Sequence, residues 1–269
     1  MTLSRALSSY GSEVIVIDNA SSDGTDWELN SGVHWRKLGF KRSKVILNRR
    51  NLGYTRAVNQ GLKLCRGRFA LLLNPDIKFV DSPFPRLFEL LEDRRIAVVA
   101  PQLRFFDGRI QPSCRRFPAK RDVFFEVFGL SRLFPHSAFF NRWRMSDFDH
   151  RSSRDVDQPQ GAFLLMRRSL IERIGLLDER FPMFFSDVDF CRRAAQVGRI
   201  HFCADVFVGH RQGTSVRQRR AAMILSSHRS FVDYFRKYDL DVWQRLATLG
   251  VGLTLLAALP IRLFILKIR

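Results

Sequence analysis

The chain has 269 residues, of which 46% are hydrophobic and 26% charged, so it carries enough apolar surface for a folded core and is not a disordered chain. Lys and Arg number 45 against 26 Asp and Glu, a formal charge of +19, which favours RNA, an anionic membrane or phosphorylated substrates as partners without choosing among them. The four cysteines form no CxxC pair, which argues against a zinc knuckle or redox motif and fits a reducing compartment. No apolar run follows a charged start at the N-terminus, so we expect no signal peptide.

Short apolar runs alternate with amphipathic stretches through the first hundred residues. The β-branched run EVIVID at 13–18 enters a polar turn, which is typical of a buried parallel strand. Strands alternating with helices predict an α/β domain with a mainly parallel sheet flanked by helices. The predicted strands are 13–18, 44–47, 68–73 and 96–100, and the predicted helices are 59–64 and 83–91.

This alternation stops at 104–158, a segment dense in Phe and Arg that we interpret as an excursion of loops and short helices. It then resumes, and the predicted elements are a strand at 161–166, helices at 169–174 and 187–197, a strand at 199–204 and a basic helix at 217–243.

The C-terminal segment has no charged residue from 246 to 261, followed by Arg262, Lys267 and Arg269. The run is shorter than the roughly 20 apolar residues of a full span. We expect a membrane-associated helix over 244–269, either in the plane of the membrane or as a strained span, and a buried C-terminal helix is the alternative. The globular domain is predicted at 1–243 and is expected to persist without this helix.

Two acidic residues follow predicted strands. Asp18 ends VIVI and Asp76 follows LLLNP, so both belong at the carboxyl edge of the sheet, where ligands of open α/β sheets bind. Acids in such places also serve as caps and turn formers. There is no GxGxxG and no Walker loop, so a diphosphate would be held through a divalent cation, with Asp76 as the candidate ligand and Asn74 able to add a carbonyl.

Two further groups of residues could carry chemistry. Asp187 and Asp189 follow an aromatic run at a loop-to-helix junction, where a carboxylate is either a helix cap or, against a Phe wall, a general base. His210 enters the glycine-containing loop VGHRQGTS and is either structural or a metal ligand. Asp189 is expected to be structural, paired with Arg192 or Arg193.

Five motifs in this order resemble the family 2 glycosyltransferases, and among these the bacterial rhamnosyltransferase-like enzymes of cell-surface polysaccharide assembly. The resemblance covers residues from about 5 to about 240, and each motif alone is less specific than the ordered set. The motifs are VIVIDNASSDGT, NRRNLGYTRAVNQGL, LLLNPD, GAFLLMRRSLIERIGLLDERFPMFFSDVDFCRR and VGHRQGTS.

The resemblance implies a GT-A fold, a nucleotide-diphosphate sugar donor, a divalent metal (Mg²⁺ or Mn²⁺) and inversion at the anomeric carbon. By position, Asp187 matches the catalytic base, and His210 matches a histidine that completes the metal site. Asn74 and Asp76 match the ends of the metal-binding DxD, with Asn in place of its first Asp. The residues that match the nucleotide-binding positions are Asp18, which would contact the base, and Asn51, Gly53 and Asn59.

The chain departs from the family pattern in two places. Ser186 stands where a Glu usually precedes the catalytic Asp, which removes a charge beside the base. The family's first apolar strand is also missing before the helix SRALSSY, so we expect an open edge on the strand Val14–Ile17 and a natural product that begins upstream.

The resulting hypothesis is an inverting glycosyltransferase at the cytoplasmic face of the bacterial inner membrane. Its donor is a nucleotide-diphosphate sugar, for which the subgroup suggests dTDP-rhamnose, and its acceptor is a saccharide or lipid-linked saccharide. The alternative is a degenerate, non-catalytic GT-A homologue that acts as a binding or scaffold protein. RNA binding is disfavoured and no nucleic-acid partner is expected, because no RNA-binding motif is present and the Phe residues lie mostly in apolar runs.

Overall fold

The computed structural model describes residues 1–30, 38–211 and 220–268. It contains ten strands and ten helices within these ranges. In chain order they are α1 (Leu3–Ala6), β1 (Glu13–Asp18), α2 (Thr25–Asn30), β2 (Arg42–Leu47), α3 (Tyr54–Leu64), β3 (Phe69–Leu73), β4 (Ile77–Lys78), α4 (Phe84–Glu92), β5 (Ile96–Arg104), β6 (Cys114–Arg115), α5 (Lys120–Val127), α6 (Leu130–Leu133), β7 (Arg154–Asp155), β8 (Gln158–Pro159), β9 (Phe163–Arg167), α7 (Arg168–Ile174), α8 (Ser186–Ala194), β10 (Arg199–His210), α9 (Arg220–Tyr238) and α10 (Val242–Ile268).

The predicted α/β class is confirmed. A six-stranded sheet has the order β3-β9-β5-β10-β4, with β7 added beside β10. Strands β5 and β10 are parallel, whereas β9 runs antiparallel to both of its neighbours, so this sheet is mixed. The direction of β9 was not predictable, because an apolar run carries no information about its sense.

Strands β1 and β2 form a separate parallel pair, in register from Glu13 with Arg42 to Asp18 with Leu47. Helix α3 packs over β1, so closely that a Cβ on Gly61 would lie 3.5 Å from Ile17 Cδ1 and 3.9 Å from Ile15 Cγ2. Within residues 1–30, 38–211 and 220–268, β1 pairs with β2 only. The other edge of β1, which the sequence analysis expected to be open, forms no ladder in that part of the chain.

The two faces of the central sheet are both buried. Along β9, Leu164 and Met166 face one hydrophobic cluster, with α7 and α8, while Phe163 and Leu165 face another, with α4. Burial on both faces explains why this strand is a continuous apolar run rather than an alternating one.

Strand β10 is longer than predicted, ending at His210 rather than Ala204. Its register against β5 shifts between Cys203 and Phe207, so the intervening residues bulge out of the ladder. The polar Asp205 in this bulge interrupts the apolar pattern, and the prediction therefore stopped too early.

The predicted basic helix at 217–243 ends earlier, at Tyr238, and α10 begins at Val242. Val251 and Leu255 of α10 are buried in a third cluster with Phe231 and Tyr234 of α9. One face of α10 is therefore part of the core. Removal of residues 244–269 would uncover that cluster, and persistence of the domain without them stays a prediction.

Candidate active site

Asp187 occupies the first turn of α8, which follows Phe185 in the left-handed region at φ 70°. Its Oδ2 accepts hydrogen bonds from the Gly161 amide and from Gln158 Nε2, both at 3.1 Å, and its Oδ1 accepts one from the Val188 amide at 2.9 Å. Burial raises the pKa of Asp187, and these hydrogen bonds oppose the rise. The residue keeps a partly exposed surface. A desolvated but reachable carboxylate of raised pKa suits a general base.

Gly161 is the residue whose size controls the position of this carboxylate. A Cβ at Gly161 would lie 3.1 Å from the Asp187 Cβ and 3.2 Å from its Oδ2. The spacing therefore requires glycine or a shift of the Asp187 side chain.

We expect Gly161→Ala to lower sugar transfer by roughly 10- to 100-fold, because misplacing a reacting group by about 1 Å is known to have effects of this size. Nucleotide binding should stay within about twofold of the wild type, as measured by titration calorimetry. Gly250→Ala is the matched control, because a Cβ there meets nothing within 4 Å. Equal transfer rates in both variants would show that Asp187 is not positioned by this contact.

Asp76 and His210 meet at the carboxyl ends of β3 and β10. The distance from His210 Nε2 to Asp76 Oδ1 is 3.4 Å. Gln111 Nε2 donates to the His210 carbonyl at 2.7 Å, and His210 Nδ1 lies 3.0 Å from Gln111 Oε1. This arrangement assigns the proton to Nδ1, so that the Nε2 lone pair faces Asp76. Burial lowers the pKa of His210, which favours this neutral form.

The pair fits a divalent cation. Asp76 Oδ1 is buried without a hydrogen-bond partner, and it faces a nitrogen lone pair, an arrangement that a cation between them would satisfy. In the described part of the chain, no group of three or more His, Cys, Asp or Glu side chains could hold a metal. A cation here would therefore complete its coordination with ligand oxygens and water, as Mg²⁺ commonly does.

Two consecutive residues connect the Asp187 site to the Asp76 site. The Gly161 amide donates to Asp187, and the Ala162 carbonyl accepts from the Asn74 amide at 2.9 Å. The structure therefore brings the predicted base and the predicted metal ligands to the same edge of the sheet. The Asn74 side chain is partly exposed there.

The loop at 48–53 carries Asn51 and Gly53, two of the predicted nucleotide-binding residues, and it is held by Asn19, which was not among the candidates. Asn19 Nδ2 donates to Asn51 Oδ1 at 3.0 Å and to the Gly53 carbonyl at 3.3 Å. Gly53 has φ 87°, and a Cβ on it would lie 3.1 Å from the Pro182 carbonyl oxygen. The loop therefore requires glycine at this point and abuts the aromatic segment that leads to Asp187.

Asp18 and Asn59 have protein partners. The Asp18 carboxylate accepts the Ser21 amide at 3.2 Å and so closes the turn after β1. Asn59 is buried, donating to the Leu177 carbonyl at 2.9 Å and accepting from its amide at 3.0 Å. Asn59 thus joins α3 to the loop before α8. The nucleotide contacts of Asp18, Asn51, Gly53 and Asn59 stay predictions.

Tyr54 at the start of α3 lies within electrostatic range of Asp187. Burial raises the pKa of the Tyr54 hydroxyl, and the Asp187 charge raises it further. Tyr54 directly follows Gly53, which approaches Pro182 of the aromatic segment 181–185. The loop, this segment and Asp187 therefore lie in one region. The remainder of the motif after His210, Gln212 to Ser215, lies outside the described residues.

The structure also shows functional neighbours that the sequence analysis missed. Gln158, Gly161 and Gln111 hold the predicted base and metal ligand, and each contact joins residues far apart in the chain. The only available signals were a polar side chain before a buried strand for Gln158 and a glycine at the start of that strand for Gly161, and neither signal identifies the partner.

Asp189, predicted to be structural, is completely buried within a network of charges. It accepts from Arg193 Nε at 2.9 Å and from the Tyr238 hydroxyl at 2.8 Å, and it pairs with Lys237. The network ties α8, which carries Asp187, to the C-terminal end of α9.

The fold is an α/β sheet with polar side chains gathered at the carboxyl ends of its strands, where such sheets bind ligands, and comparison with known proteins identifies the family. The family model "Glycosyl transferase family 2" matches residues 2–175. The chain belongs to glycosyl transferase family 2.

Curated relatives are also glycosyltransferases. The chain is 26% identical, over 232 residues, to the N-acetylglucosaminyl-diphospho-decaprenol L-rhamnosyltransferase of Mycobacterium tuberculosis (strain ATCC 25618 / H37Rv), an alignment that covers 81% of this chain and 72% of the relative. It is 23% identical to the low-salt glycan biosynthesis hexosyltransferase Agl10 of Haloferax volcanii, covering 84% of this chain and 66% of the relative.

Solved structures show the same GT-A fold. The mannosyltransferase PcManGT from Pyrobaculum calidifontis, in complex with GDP-Man and Mn²⁺, superposes with a TM-score of 0.54 at 17% identity, covering 91% of this chain and 64% of that one. GalNAc-T7 with UDP, GalNAc and Mn²⁺ superposes with a TM-score of 0.53 at 15% identity, covering 75% of this chain and 38% of that one. The chain thus spans less than two thirds of the length of either structure.

Proposed function

We propose that this protein is an inverting glycosyltransferase that moves a sugar from a nucleotide-diphosphate donor to a saccharide acceptor carried by a lipid. The observation that supports this most directly is the position of the desolvated Asp187 carboxylate at the same sheet edge as Asp76 and His210. Transfer of rhamnose to a lipid-diphosphate acceptor is suggested by the name of the mycobacterial relative. The donor dTDP-rhamnose is suggested only by the resemblance of the motifs to the rhamnosyltransferase-like group.

Asp187 acts as the base in this proposal. Its carboxylate takes the proton of the acceptor hydroxyl as that oxygen bonds to C1 of the donor sugar. The bond between C1 and the diphosphate oxygen breaks with its electron pair leaving on the nucleoside diphosphate, and the configuration at C1 is inverted. Gln158 and Gly161 hold the carboxylate in place for the attack.

Asp76 and His210 would hold Mg²⁺ or Mn²⁺, which supplies positive charge to the leaving diphosphate. Asn74, at the same sheet edge, would be able to add its side-chain carbonyl oxygen. Gln111 keeps the His210 Nε2 unprotonated for the metal. Asp18, Asn51, Gly53 and Asn59 would line the nucleotide, on the loop and strand ends that lie in one region with Tyr54 and Asp187.

The non-catalytic alternative rests on Ser186, which stands where the family usually has a Glu. Its side chain is buried and its hydroxyl donates to the Met183 carbonyl at 3.3 Å, so it supplies no charge beside Asp187. Slow hydrolysis or transfer of any nucleotide-sugar donor by the purified protein would exclude this alternative, and binding without turnover under the same conditions would favour it.

The metal assignment is tested by Asp76→Asn, which keeps the shape of the side chain and removes its charge. We expect Mn²⁺-dependent binding of a nucleoside diphosphate to weaken at least tenfold, about 1.4 kcal/mol. Thermal-shift measurements across a panel of nucleoside diphosphates, with and without Mn²⁺, provide the readout, because ligands of the native state raise its apparent stability. Asp81→Asn, at an exposed position nearby, is the control. Unchanged Mn²⁺-dependent binding in Asp76→Asn would exclude Asp76 as a ligand.

The enzyme is proposed to act at the cytoplasmic face of the inner membrane, where a lipid-linked acceptor would be available. One helix in the described residues, Val242–Leu263, is long and apolar enough to cross a membrane by length and composition. The excess of basic residues would favour anionic lipid.

A further inference from the structure

Helix α10 has two apolar faces, and within residues 1–30, 38–211 and 220–268 protein covers only one of them. Thr248, Val251 and Leu255 are buried on the inner face, towards α9 and α5. On the outer face, apolar residues recur every three or four positions and so form a single stripe along the helix. The stripe consists of Val242, Leu246, Leu249, Leu253 and Leu256, whose exposed fractions are 54–65%.

The inner face is attached to the domain at both ends. Near its start, the Thr248 hydroxyl donates to Asp239 Oδ2 at 2.6 Å. Near its end, the Arg262 guanidinium donates to His228 Nε2 of α9 at 2.9 Å. A helix held along its length in this way cannot cross a bilayer alone, because α9, with its exposed Arg229 and Arg236, would have to enter the hydrocarbon with it.

A second exposed apolar segment adjoins α10. Helix α5 packs against α10, with Val123 and Val127 contributing to the cluster that contains Val251 and Leu255. The chain after α5 exposes large apolar side chains instead of burying them, and Arg132 within it lies in electrostatic reach of Arg262. These exposed residues are Phe128 (68%), Leu133 (70%), Phe134 (45%) and Phe139 (56%).

The charges of both segments favour an anionic surface. Residues 128–140 contain Arg132 and His136 and no Asp or Glu. Residues 242–269 contain Arg245, Arg262, Lys267 and Arg269 and likewise no acidic residue. Apolar side chains flanked by basic ones are the composition of elements that lie in the interface of an anionic bilayer.

We propose that the outer stripe of α10 and the segment 128–139 form one docking surface, with which the protein lies on an anionic bilayer and keeps α10 in the membrane plane. The inner face of α10 shares its cluster with Val188, the residue after Asp187. The surface would thus hold the base one helix layer from the membrane, which serves a lipid-linked acceptor if the proposed function is correct.

The stripe is tested with the double variant Leu249→Gln/Leu253→Gln in the full chain. We expect its partition onto vesicles of phosphatidylglycerol and phosphatidylethanolamine to fall at least tenfold in co-sedimentation. Its thermal unfolding should match the wild type, because both side chains are exposed. Val80→Gln, at a position 54% exposed outside both segments, should bind vesicles normally. Unchanged binding of the double variant would overturn the proposal.

The second segment is tested separately with Phe128→Ser/Leu133→Ser, at positions 68% and 70% exposed. Binding to the same vesicles should fall several-fold while stability is retained. If binding is unaffected, α10 acts alone and the two-part surface is wrong.

The in-plane orientation is tested with spin labels at Leu246→Cys and Leu256→Cys, in a Cys65→Ser background. The remaining cysteines are buried, which raises the pKa of their thiols, to about 12 for Cys114, and so slows labelling. The two labels should report equal shallow depths in vesicles. A spanning helix would separate them by about 15 Å along its axis, and a depth difference of that order would overturn the proposal.

A second copy of the chain is the competing occupant of the stripe. Sedimentation without lipid should show a monomer. A dimer that the Leu249→Gln/Leu253→Gln variant abolishes would mean that a second copy of the chain, and not the membrane, covers the stripe. Nucleoside diphosphate binding, measured without vesicles, is independent of all these outcomes. Vesicle binding that the Leu249→Gln/Leu253→Gln variant retains therefore contradicts the docking surface alone, and a wild-type protein that binds no nucleoside diphosphate contradicts the proposed function alone.

Discussion

Asp187→Asn is expected to reduce sugar transfer by about 10²- to 10⁴-fold, the usual contribution of a positioned general base. The amide cannot take the acceptor proton, but it occupies the same volume and keeps an oxygen for the hydrogen bonds from Gly161 and Gln158. Nucleoside diphosphate binding should be nearly intact. The measurement is steady-state transfer beside calorimetric binding, and near-normal transfer would exclude Asp187 as the base.

The pH dependence of sugar transfer should also reflect the ionisation of Asp187. Because burial raises the pKa of Asp187, the rate should increase with pH through a value above that of an ordinary carboxyl group. The contribution of Asp187 to the free energy of unfolding changes with pH in the opposite direction to the rate. The folded state binds this proton more tightly than the unfolded state, so the contribution of Asp187 to stability is present at low pH and is lost as pH rises through the folded-state pKa. Asp187→Asn should therefore unfold no more easily than the wild type at neutral pH.

Asp189→Asn is expected to lower the free energy of unfolding by about 3 kcal/mol. The substitution removes the negative charge with which Arg193 and Lys237 pair in the interior. The loss should lie at the low end of the range for such pairs. Lys237 keeps Asp178, at 2.7 Å, and Arg193 keeps the Ile174 and Leu176 carbonyls. Urea denaturation provides the measurement.

The control for Asp189→Asn is Glu172→Gln. Arg168 and Glu172 are also an i,i+4 pair, but their side chains are 42% and 57% exposed. Exposed pairs of this kind contribute about 0.5 kcal/mol or less. Similar losses in the two variants would mean that burial of Asp189 does not control its contribution.

The predictions of elements succeeded where local pattern was sufficient. The run EVIVID coincides with β1, and the helix after Arg167 ends before Gly175, which has φ 80°. They failed where packing extended or divided an element. Strand β10 continues past its bulge because β5 offers a partner on the other side, and the boundary between the last two helices lies between Tyr238 and Val242 rather than at 243.

The sequence by itself determined the α/β class, the family and the identity of the residues at the strand ends, because apolar periodicity and ordered motifs are local properties of the chain. It could place Asp187, Asp76 and His210 at strand and helix ends but not relative to one another. Only the tertiary structure joined them, through Gly161 and Ala162, and supplied Gln158 and Gln111 as their supports. It also decided that α10 has a buried face. Contacts between residues far apart in the chain depend on how the sheet orders its strands, and side-chain composition alone does not encode that order.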